Sequence, residues 1–217
     1  MGDEQGAGWY PRSIRLRGYD YRSQGAYFVT LCTAGRLCTL HVEEVRSAVE
    51  DAWRKISAHF PQVRTDEFVV MLNHIHGIIW ILKPDEDDDA SQPASIRHRE
   101  VGAQHAAPLR METRQRPAVL PGSLGAIVRS FKSAATKRIN EIRGTPGTPV
   151  WQRNYYERVI RNEAELNRVR EYIHLNPLQW ALDHENPHRT SDTAYDRQWA
   201  WIEGTDAKPG RVVGSRD

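Results

Sequence analysis

The chain has 217 residues and a mass of 24.9 kDa, which suits one domain with extensions. Hydrophobic residues make up 39 % and charged residues 27 %, the mean hydropathy is −0.67, and the formal net charge is +2. A membrane protein is excluded by this pattern, because no apolar run approaches the roughly 20 residues that a spanning helix requires. No apolar signal segment is expected at the N-terminus. The two cysteines, Cys32 and Cys38, indicate reduced thiols in a cytoplasmic protein rather than a disulfide framework.

The hydrophobic pattern predicts an alternation of strands and helices. Apolar, β-branched stretches are predicted as strands at 25–32, 67–72, 74–82 and 158–161. Helical spacing predicts helices at 42–60, 121–143 and 162–176. Asn73 is predicted as a turn or bulge between the two middle strands, unless they form one long strand. The order is compatible with a small antiparallel sheet backed by helices on one face, an α+β fold.

Three regions differ in their composition. Residues 1–182 are predicted to form the folded domain. Within it, residues 84–120 lack periodicity and are rich in Asp, Pro, Ala, Gln and Arg, which is typical of a mobile insertion. Residues 183–217 are polar with scattered Trp, and we expect a loosely packed C-terminal tail.

Positive charge is concentrated in two stretches of the chain. One is the arginine-rich N-terminal stretch; the other, residues 121–170, carries ten Lys or Arg against four Glu, with aromatic residues between them. Cations neutralise phosphates and aromatic rings stack on bases, so this mixture is typical of single-stranded nucleic-acid binding. A merely solvated basic face is the alternative.

His74 and His76 form the sharpest local pattern in the sequence, within the stretch Asn-His-Ile-His-Gly. Alternate residues of a strand point to one face, so the two imidazoles project together. A divalent metal would explain a buried histidine pair, whereas two partly exposed histidines at a strand end are the alternative. The helical zinc-hydrolase pattern is absent, and Ile78 stands where a histidine-triad hydrolase would have its third histidine.

Tyr172 and Asn176 stand four residues apart in the last predicted helix and therefore share a face. An asparagine oxygen can ligate a hard cation. A tyrosine hydroxyl near such a cation could attack a polarised phosphate. An ordinary core or surface tyrosine is the alternative.

Six segments in this order carry a family resemblance: Tyr27-Phe-Val-Thr, Asn73-His-Ile-His-Gly77, Ser130-Phe-Lys-Ser133, Val150-Trp-Gln-Arg-Asn-Tyr-Tyr156, Ile160-Arg-Asn-Glu163 and Arg170-Glu-Tyr-Ile-His-Leu-Asn-Pro177. Together they resemble the REP-associated tyrosine transposases, a group of the single-tyrosine HUH transposases. The resemblance covers about residues 10–182 without the 84–120 segment. It implies a ferredoxin-like or RRM-like domain of the HUH endonuclease type.

The resemblance also implies roles for particular residues. His74 and His76 match the metal ligands, Asn176 the third ligand and Tyr172 the nucleophile, with Mg²⁺ or Mn²⁺ as the cofactor. In this family the tyrosine cleaves single-stranded hairpin DNA, leaving a 5′-phosphotyrosine and a free 3′-OH. Leu72 replaces the proline that commonly precedes the histidine motif. Tyr155 and Tyr156 compete for the role of nucleophile, but neither has a potential ligand four residues on.

Eight basic residues are predicted to contact the DNA: Arg12, Arg15, Arg17, Arg129, Lys132, Arg138, Arg153 and Arg158. Trp151 either stacks on a base or packs in the core, and the core is favoured. The expected partner is single-stranded hairpin DNA, bound by a monomer or a homodimer. Two alternatives remain: a domesticated relative that binds hairpin DNA or RNA without cutting it, and an HUH-type replication initiator, although initiators are generally longer.

Overall fold

The computed structural model describes residues 19–82 and 120–203. Nearly all of the predicted 84–120 insertion lies outside these residues, as do Arg12, Arg15 and Arg17. The regular elements are β1 Gly25–Cys32, α1 Glu43–Arg54, α2 Ile56–His59, β2 Val63–Val70, β3 His74–Ile81, α3 Leu124–Arg143, β4 Tyr156–Ile160, α4 Glu163–Leu175 and α5 Thr193–Glu203, with short 3-10 segments at Ala34–Arg36 and Asn176–Leu182. None of the described helices combines the length and the apolar character needed to cross a bilayer.

The four strands form one antiparallel sheet in the order β2-β3-β1-β4. With helices between β1 and β2 and between β3 and β4, this is the ferredoxin-like topology, so the predicted α+β fold is confirmed. β2 and β3 are separate strands joined by a tight turn, as one of the two interpretations of Asn73 predicted. β1 and β3 are the central strands, and their register places Thr30 opposite His76 and Cys32 opposite His74.

One face of the sheet is covered by α1 and α3. Tyr27, Val29 and Leu31 of β1 point to this face and pack with the apolar sides of both helices. Gly77 of β3 lies directly beneath Trp53 of α1, and a Cβ atom at position 77 would come within 2.4 Å of the indole. The glycine therefore allows the helix to approach the strand closely, at the residue directly after His76.

The opposite face is covered by α4 and α5, which pack on Ala26, Phe28 and Ile78. The prediction of helices on one face is correct for α1 and α3 and incomplete for the domain, because α4 and α5 form a second layer. α4 begins as predicted: the side chain of Asn162 accepts a hydrogen bond from the backbone N–H of Glu165 at 2.9 Å.

The segment after residue 182 was expected to be a loosely packed tail, and for residues 183–203 this is wrong. Tyr195 and Ile202 of α5 are 3 % and 0 % exposed and belong to the core beneath α4. Asp183 is fully buried. Scattered aromatic and aliphatic side chains give this polar segment enough apolar contact to pack, although its mean hydropathy is low.

Candidate metal and tyrosine site

The two imidazoles predicted to project from one face of a strand do so, at the start of the central strand β3. His74 and His76 are both fully buried, and their Nε2 atoms are 2.9 Å apart. They lie on the sheet face that α4 and α5 cover. The alternative of two partly exposed histidines is therefore wrong.

Hydrogen bonds at the opposite ring nitrogens orient both imidazoles. Nδ1 of His74 lies 2.9 Å from Oδ1 of Asn73, and Nδ1 of His76 lies 2.8 Å from Oγ1 of Thr30. The amide nitrogen of Asn73 donates to the carbonyls of Arg36 and Glu185, so its oxygen accepts from His74 Nδ1–H. That tautomer leaves the Nε2 lone pair of His74 directed at the space between the rings, as in a histidine that ligates a metal.

Burial keeps both imidazoles neutral. It lowers the pKa of His74 to about 4, although nearby Asp183 opposes the shift. The pKa of His76 is lowered well below its ordinary value by burial and by the adjacent His74. At neutral pH each ring therefore has one nitrogen lone pair for a metal or a proton.

Asp183 is a third donor that the sequence analysis missed. Its Oδ2 lies 3.7 Å from Nε2 of His74, and the donor atoms of the two histidines and this carboxylate all fall within 4.8 Å of one another. Its Oδ1 accepts from the backbone N–H of Glu185 at 2.6 Å, and the hydroxyl of Tyr195 donates to Oδ2 at 3.3 Å. Within the sequence nothing marks Asp183, because it lies in the polar stretch expected to be a tail.

Tyr172 is turned toward the histidines, and the amide of Asn176, four residues on, contacts Tyr195, which in turn donates to Asp183. The hydroxyl of Tyr172 lies 3.3 Å from Nε2 of His76, and burial, followed by the charge of Asp183, raises the pKa of this phenol well above its ordinary value. Asn176 is also fully buried. Burial raises the pKa of the Tyr195 phenol and the contact with the Asn176 amide opposes that shift, yet neither amide atom makes a well-formed hydrogen bond with the described part of the chain.

These donors fit a divalent cation. Two neutral imidazoles and a carboxylate suit first-row transition metals, and an amide oxygen adds a hard donor that also suits Mg²⁺. The amide of buried Asn176 makes no well-formed hydrogen bond with the described residues, which favours a ligand here, since a poorly satisfied buried polar group destabilises the fold.

The described basic residues predicted to contact DNA fall into two groups. The guanidinium of Arg158 makes its contacts within the protein: it forms a 2.6 Å ion pair with Glu165 and donates to the carbonyls of Trp201 and Ile202. Arg138 forms an exposed ion pair with Glu141. The remaining three, Arg129, Lys132 and Arg153, line a cavity beside α3.

The two competing tyrosines have other contacts. The hydroxyl of Tyr156 donates to the carbonyl of Ile202, and the ring of Tyr155 lies 5.4 Å from the ammonium of Lys132. Trp151 is 8 % exposed and belongs to the core, as favoured.

The chain was compared with known proteins, and no protein-family model matches it. It is 36 % identical over 184 residues to an uncharacterized protein of Haemophilus influenzae Rd, covering 79 % of this chain and 91 % of the Haemophilus protein. The chain belongs to the same family as that protein.

Two solved structures are similar at lower levels. The first is a REP-associated tyrosine transposase bound to a REP hairpin, with a TM-score of 0.45, 20 % identity, and coverage of 76 % of this chain and 73 % of that one. The second is a proposed transposase of Deinococcus radiodurans R1, with a TM-score of 0.39, 18 % identity, and coverage of 74 % and 95 %. The ferredoxin-like fold itself is defined by the strand order given above.

Proposed function

We propose that this protein is a DNA strand transferase that cuts and rejoins single-stranded hairpin DNA through Tyr172. The observation that carries the proposal is the position of the Tyr172 hydroxyl, 3.3 Å from His76 Nε2 in a cluster with His74 and Asp183. A phenol beside a ready-made set of metal donors is the arrangement that a tyrosine nucleophile acting on a phosphodiester requires.

His74, His76 and Asp183, with the amide of Asn176, would hold a divalent ion such as Mg²⁺ or Mn²⁺. Once bound, that ion would supply Lewis-acid polarisation of the scissile phosphate. Asp183 thereby joins the ligand set that the family resemblance gave as His74, His76 and Asn176.

Tyr172 forms the new bond. Its hydroxyl oxygen attacks phosphorus and the bond from phosphorus to the 3′ oxygen breaks. The 3′ oxygen takes up a proton equivalent to the one that Tyr172 releases and leaves as a hydroxyl, with the 5′ phosphate joined to the tyrosine. The Tyr172 hydroxyl also hydrogen-bonds Tyr195, whose own hydroxyl donates to Asp183. This chain of hydroxyls directs the phenol proton toward a carboxylate. The ester bond energy is retained in the phosphotyrosine, so a 3′-OH can reverse the reaction.

A single copy contains every group of the proposed site. The histidines come from β3, Tyr172 from α4, and Asp183 from the segment that follows α4 in the same chain. This supports action by a monomer, with no residue required from a second copy.

The proposal is tested by the formation of a covalent adduct. Oligonucleotides containing imperfect palindromes from the flanks of the gene, each with unpaired nucleotides on both sides, are incubated with the protein and Mn²⁺ or Mg²⁺. Denaturing electrophoresis is expected to show a protein–DNA adduct with wild-type protein, none after chelation with EDTA, and none with Tyr172→Phe.

Tyr155→Phe is the matched control, because it removes one hydroxyl from the other candidate region and leaves the histidine cluster intact. It is expected to form the adduct at the wild-type rate. An adduct with Tyr172→Phe, or its loss with Tyr155→Phe alone, would exclude the assignment. Binding of hairpins without any adduct would indicate a non-cleaving binding protein instead.

A further inference from the structure

Helix α4, which carries Tyr172, is joined by ion pairs to both edge strands of the sheet. Near its start, Glu165 pairs with Arg158 of β4 at 2.6 Å. In its second half, Arg170 pairs with Asp66 of β2 at 2.6 Å. Because β4 and β2 are the outermost strands of the sheet, the helix crosses the sheet between these two contacts. The pair with β2 is the one closer to Tyr172, which follows Arg170 by two residues.

Both carboxylate oxygens of Asp66 accept hydrogen bonds. Arg170 donates from Nε to Oδ1 at 3.1 Å and from Nη2 to Oδ2 at 2.6 Å, the bidentate geometry that orients a guanidinium. The indole Nε1 of Trp80 in β3 donates to Oδ2 at 3.0 Å, and the backbone N–H of Glu67 donates to Oδ1 at 2.8 Å. Two strands therefore hold the carboxylate in place independently of the helix.

Asp66 lies where the pairing of β2 with β3 is irregular. Between Thr65 and Phe68, β2 has one residue more than the facing part of β3. An extra residue of this kind bends the strand locally and changes the direction of a side chain. The carboxylate of Asp66 meets Arg170 on the face of the sheet that α4 covers, so the irregularity lies at the point of contact between strand and helix.

The Asp66–Arg170 ion pair is partly shielded from water, because the side chain of Asp66 is 14 % exposed and that of Arg170 is 39 % exposed. Burial would raise the pKa of Asp66, but hydrogen bonds from Arg170, Trp80 and the backbone of Glu67 outweigh it and lower this pKa below its ordinary value. The carboxylate is therefore ionised at neutral pH, and its hydrogen bonds with the guanidinium are charge-assisted.

Apolar packing alone fixes the position of α4 less exactly. Leu166, Val169 and Ile173 hold the helix on the sheet by apolar contact, which is non-directional. A helix displaced by one residue moves by about 1.5 Å along its axis and turns by about 100°. The Tyr172 hydroxyl lies 3.3 Å from Nε2 of His76, so a fraction of that displacement would break the contact.

We propose that Arg170 and Asp66 are positioning residues for Tyr172. Their ion pair fixes α4 against β2 and so sets the position of the phenol relative to the histidines. This inference rests on the proposed function for the reaction that Tyr172 performs. It adds that loss of the pair slows the chemical step and leaves the affinity for the hairpin unchanged.

The first test separates the rate from the affinity. Single-turnover adduct formation is measured at saturating hairpin DNA and Mn²⁺, and the Kd of the hairpin is measured by fluorescence anisotropy. Arg170→Met keeps the apolar stem and is expected to slow adduct formation by about tenfold to a hundredfold, because a misplacement of about 1 Å can reduce a rate about 10²-fold. The Kd should stay within about twofold of wild type, since ground-state binding is unchanged.

Arg54→Met is the matched control, because Arg54 forms an exposed ion pair with Asp51 on α1. It is expected to match the wild type in both rate and Kd. Arg170→Lys keeps the charge without the bidentate geometry and should restore only part of the rate.

Asp66→Asn tests whether Arg170 acts through this carboxylate. The amide retains an acceptor for Trp80 but loses the ion pair, so adduct formation should slow as in Arg170→Met. Adding Arg170→Met to Asp66→Asn should cause no further loss, because both substitutions remove the same contact. If Arg170 contacted a phosphate instead, its substitution would weaken hairpin binding and would add to the effect of Asp66→Asn. That result would overturn the inference.

A second measurement requires neither metal nor DNA. 3-Fluorotyrosine is incorporated at position 172, and its ¹⁹F resonance reports the surroundings of the buried ring. Arg170→Met is expected to shift or split this resonance, and Arg54→Met to leave it unchanged. An unchanged resonance in Arg170→Met would contradict the positioning role. Absence of any adduct with the wild-type protein would contradict the proposed function instead, so the two proposals fail separately.

Discussion

The two faces of the sheet are built from the same strands but bury different chemistry. Beneath α1 and α3, β3 presents Ile75, Ile79 and Ile81 to an apolar core. Beneath α4 and α5, the same strand presents His74 and His76, which meet a phenol and a carboxylate. The first face supplies hydrophobic stabilisation, whereas the second places polar groups where they destabilise the fold unless they are partnered.

Because side chains alternate between the two faces along a strand, the positions of the residues on one face determine those on the other. A slip of one residue in the pairing of β3 with β1 would exchange the isoleucines for the histidines. The apolar face therefore holds the histidines in position by fixing the register. We expect substitutions on the apolar face to change stability, and substitutions on the polar face to change metal binding and cleavage.

The largest expected effect is that of His76→Ala on the polar face. It removes a metal donor, so adduct formation is expected to fall by at least about 10³-fold. Mn²⁺ at 100 times its Kd should stabilise the wild-type protein by about 2.7 kcal/mol and should not stabilise this variant. Thermal unfolding with and without Mn²⁺ measures the second effect without DNA.

His59→Ala is the control for that variant, because His59 is exposed at the end of α2. It is expected to behave as the wild type in both measurements. If the response to Mn²⁺ persisted in His76→Ala, the metal would have to bind elsewhere.

The next effect is expected from Trp53→Ala on the apolar face. Trp53 is 4 % exposed and stacks on Phe68 with centroids 4.4 Å apart, so its truncation is expected to lower the free energy of unfolding by about 3 kcal/mol. Urea unfolding measures the loss. The affinity of the folded variant for Mn²⁺, measured by calorimetry, should remain within about twofold of wild type because no donor is touched. A larger change in affinity would show that the two faces do not separate as described.

Arg158→Met tests whether this arginine stabilises the polar face or binds DNA. Its ion pair with Glu165 is largely buried, and removing one partner leaves the other charge without compensation, so we expect a loss of about 3 kcal/mol in urea unfolding. The methionine keeps the apolar stem. Hairpin affinity should be unchanged in the folded variant, and a selective loss of affinity at full stability would restore the predicted role in DNA contact.

The smallest effect concerns Lys132. Burial lowers its pKa from 10.5 to about 8, so between these pH values the unfolded chain binds more protons than the folded one. Stability should therefore rise with pH across this window, with a slope of up to roughly 1.4 kcal/mol per pH unit. Lys132→Met should lack this component when urea unfolding is followed from pH 8 to pH 10.5. An identical pH profile in the two proteins would contradict the assigned pKa.

Local geometry explains what could be predicted from the sequence. Residues two apart in a strand and four apart in a helix share a face, so the orientation of His74 with His76, and of Tyr172 with Asn176, required no tertiary information. The existence of the four strands and the N-cap at Asn162 followed from similarly local patterns, but β2 begins at Val63, four residues before its predicted start. The catalytic and metal-binding roles of these residues stay predictions until the experiments above are done.

Long-range contacts explain what was missed. Asp183 joins the histidines only because the chain turns back after α4, and its neighbour Glu185 contacts Asn73 through a backbone carbonyl. Neither contact has a spacing that a sequence pattern could reveal. The second helical layer was missed for a related reason: α5 follows a polar stretch at 183–192, and its packing depends on long-range contacts of side chains such as Tyr195 and Ile202.

The depth of the site has a further consequence for turnover. His74, His76, Tyr172 and Asp183 are each 0 % exposed, so a phosphodiester cannot reach the phenol in this arrangement. Helix α5 covers part of the site. It supplies Tyr195, and two of its backbone carbonyls accept hydrogen bonds from the guanidinium of Arg158. Under the proposed function, DNA entry requires α5 to move away from the site, and the frequency of that opening would set an upper limit on the speed of strand exchange, however fast the phosphoryl step itself is.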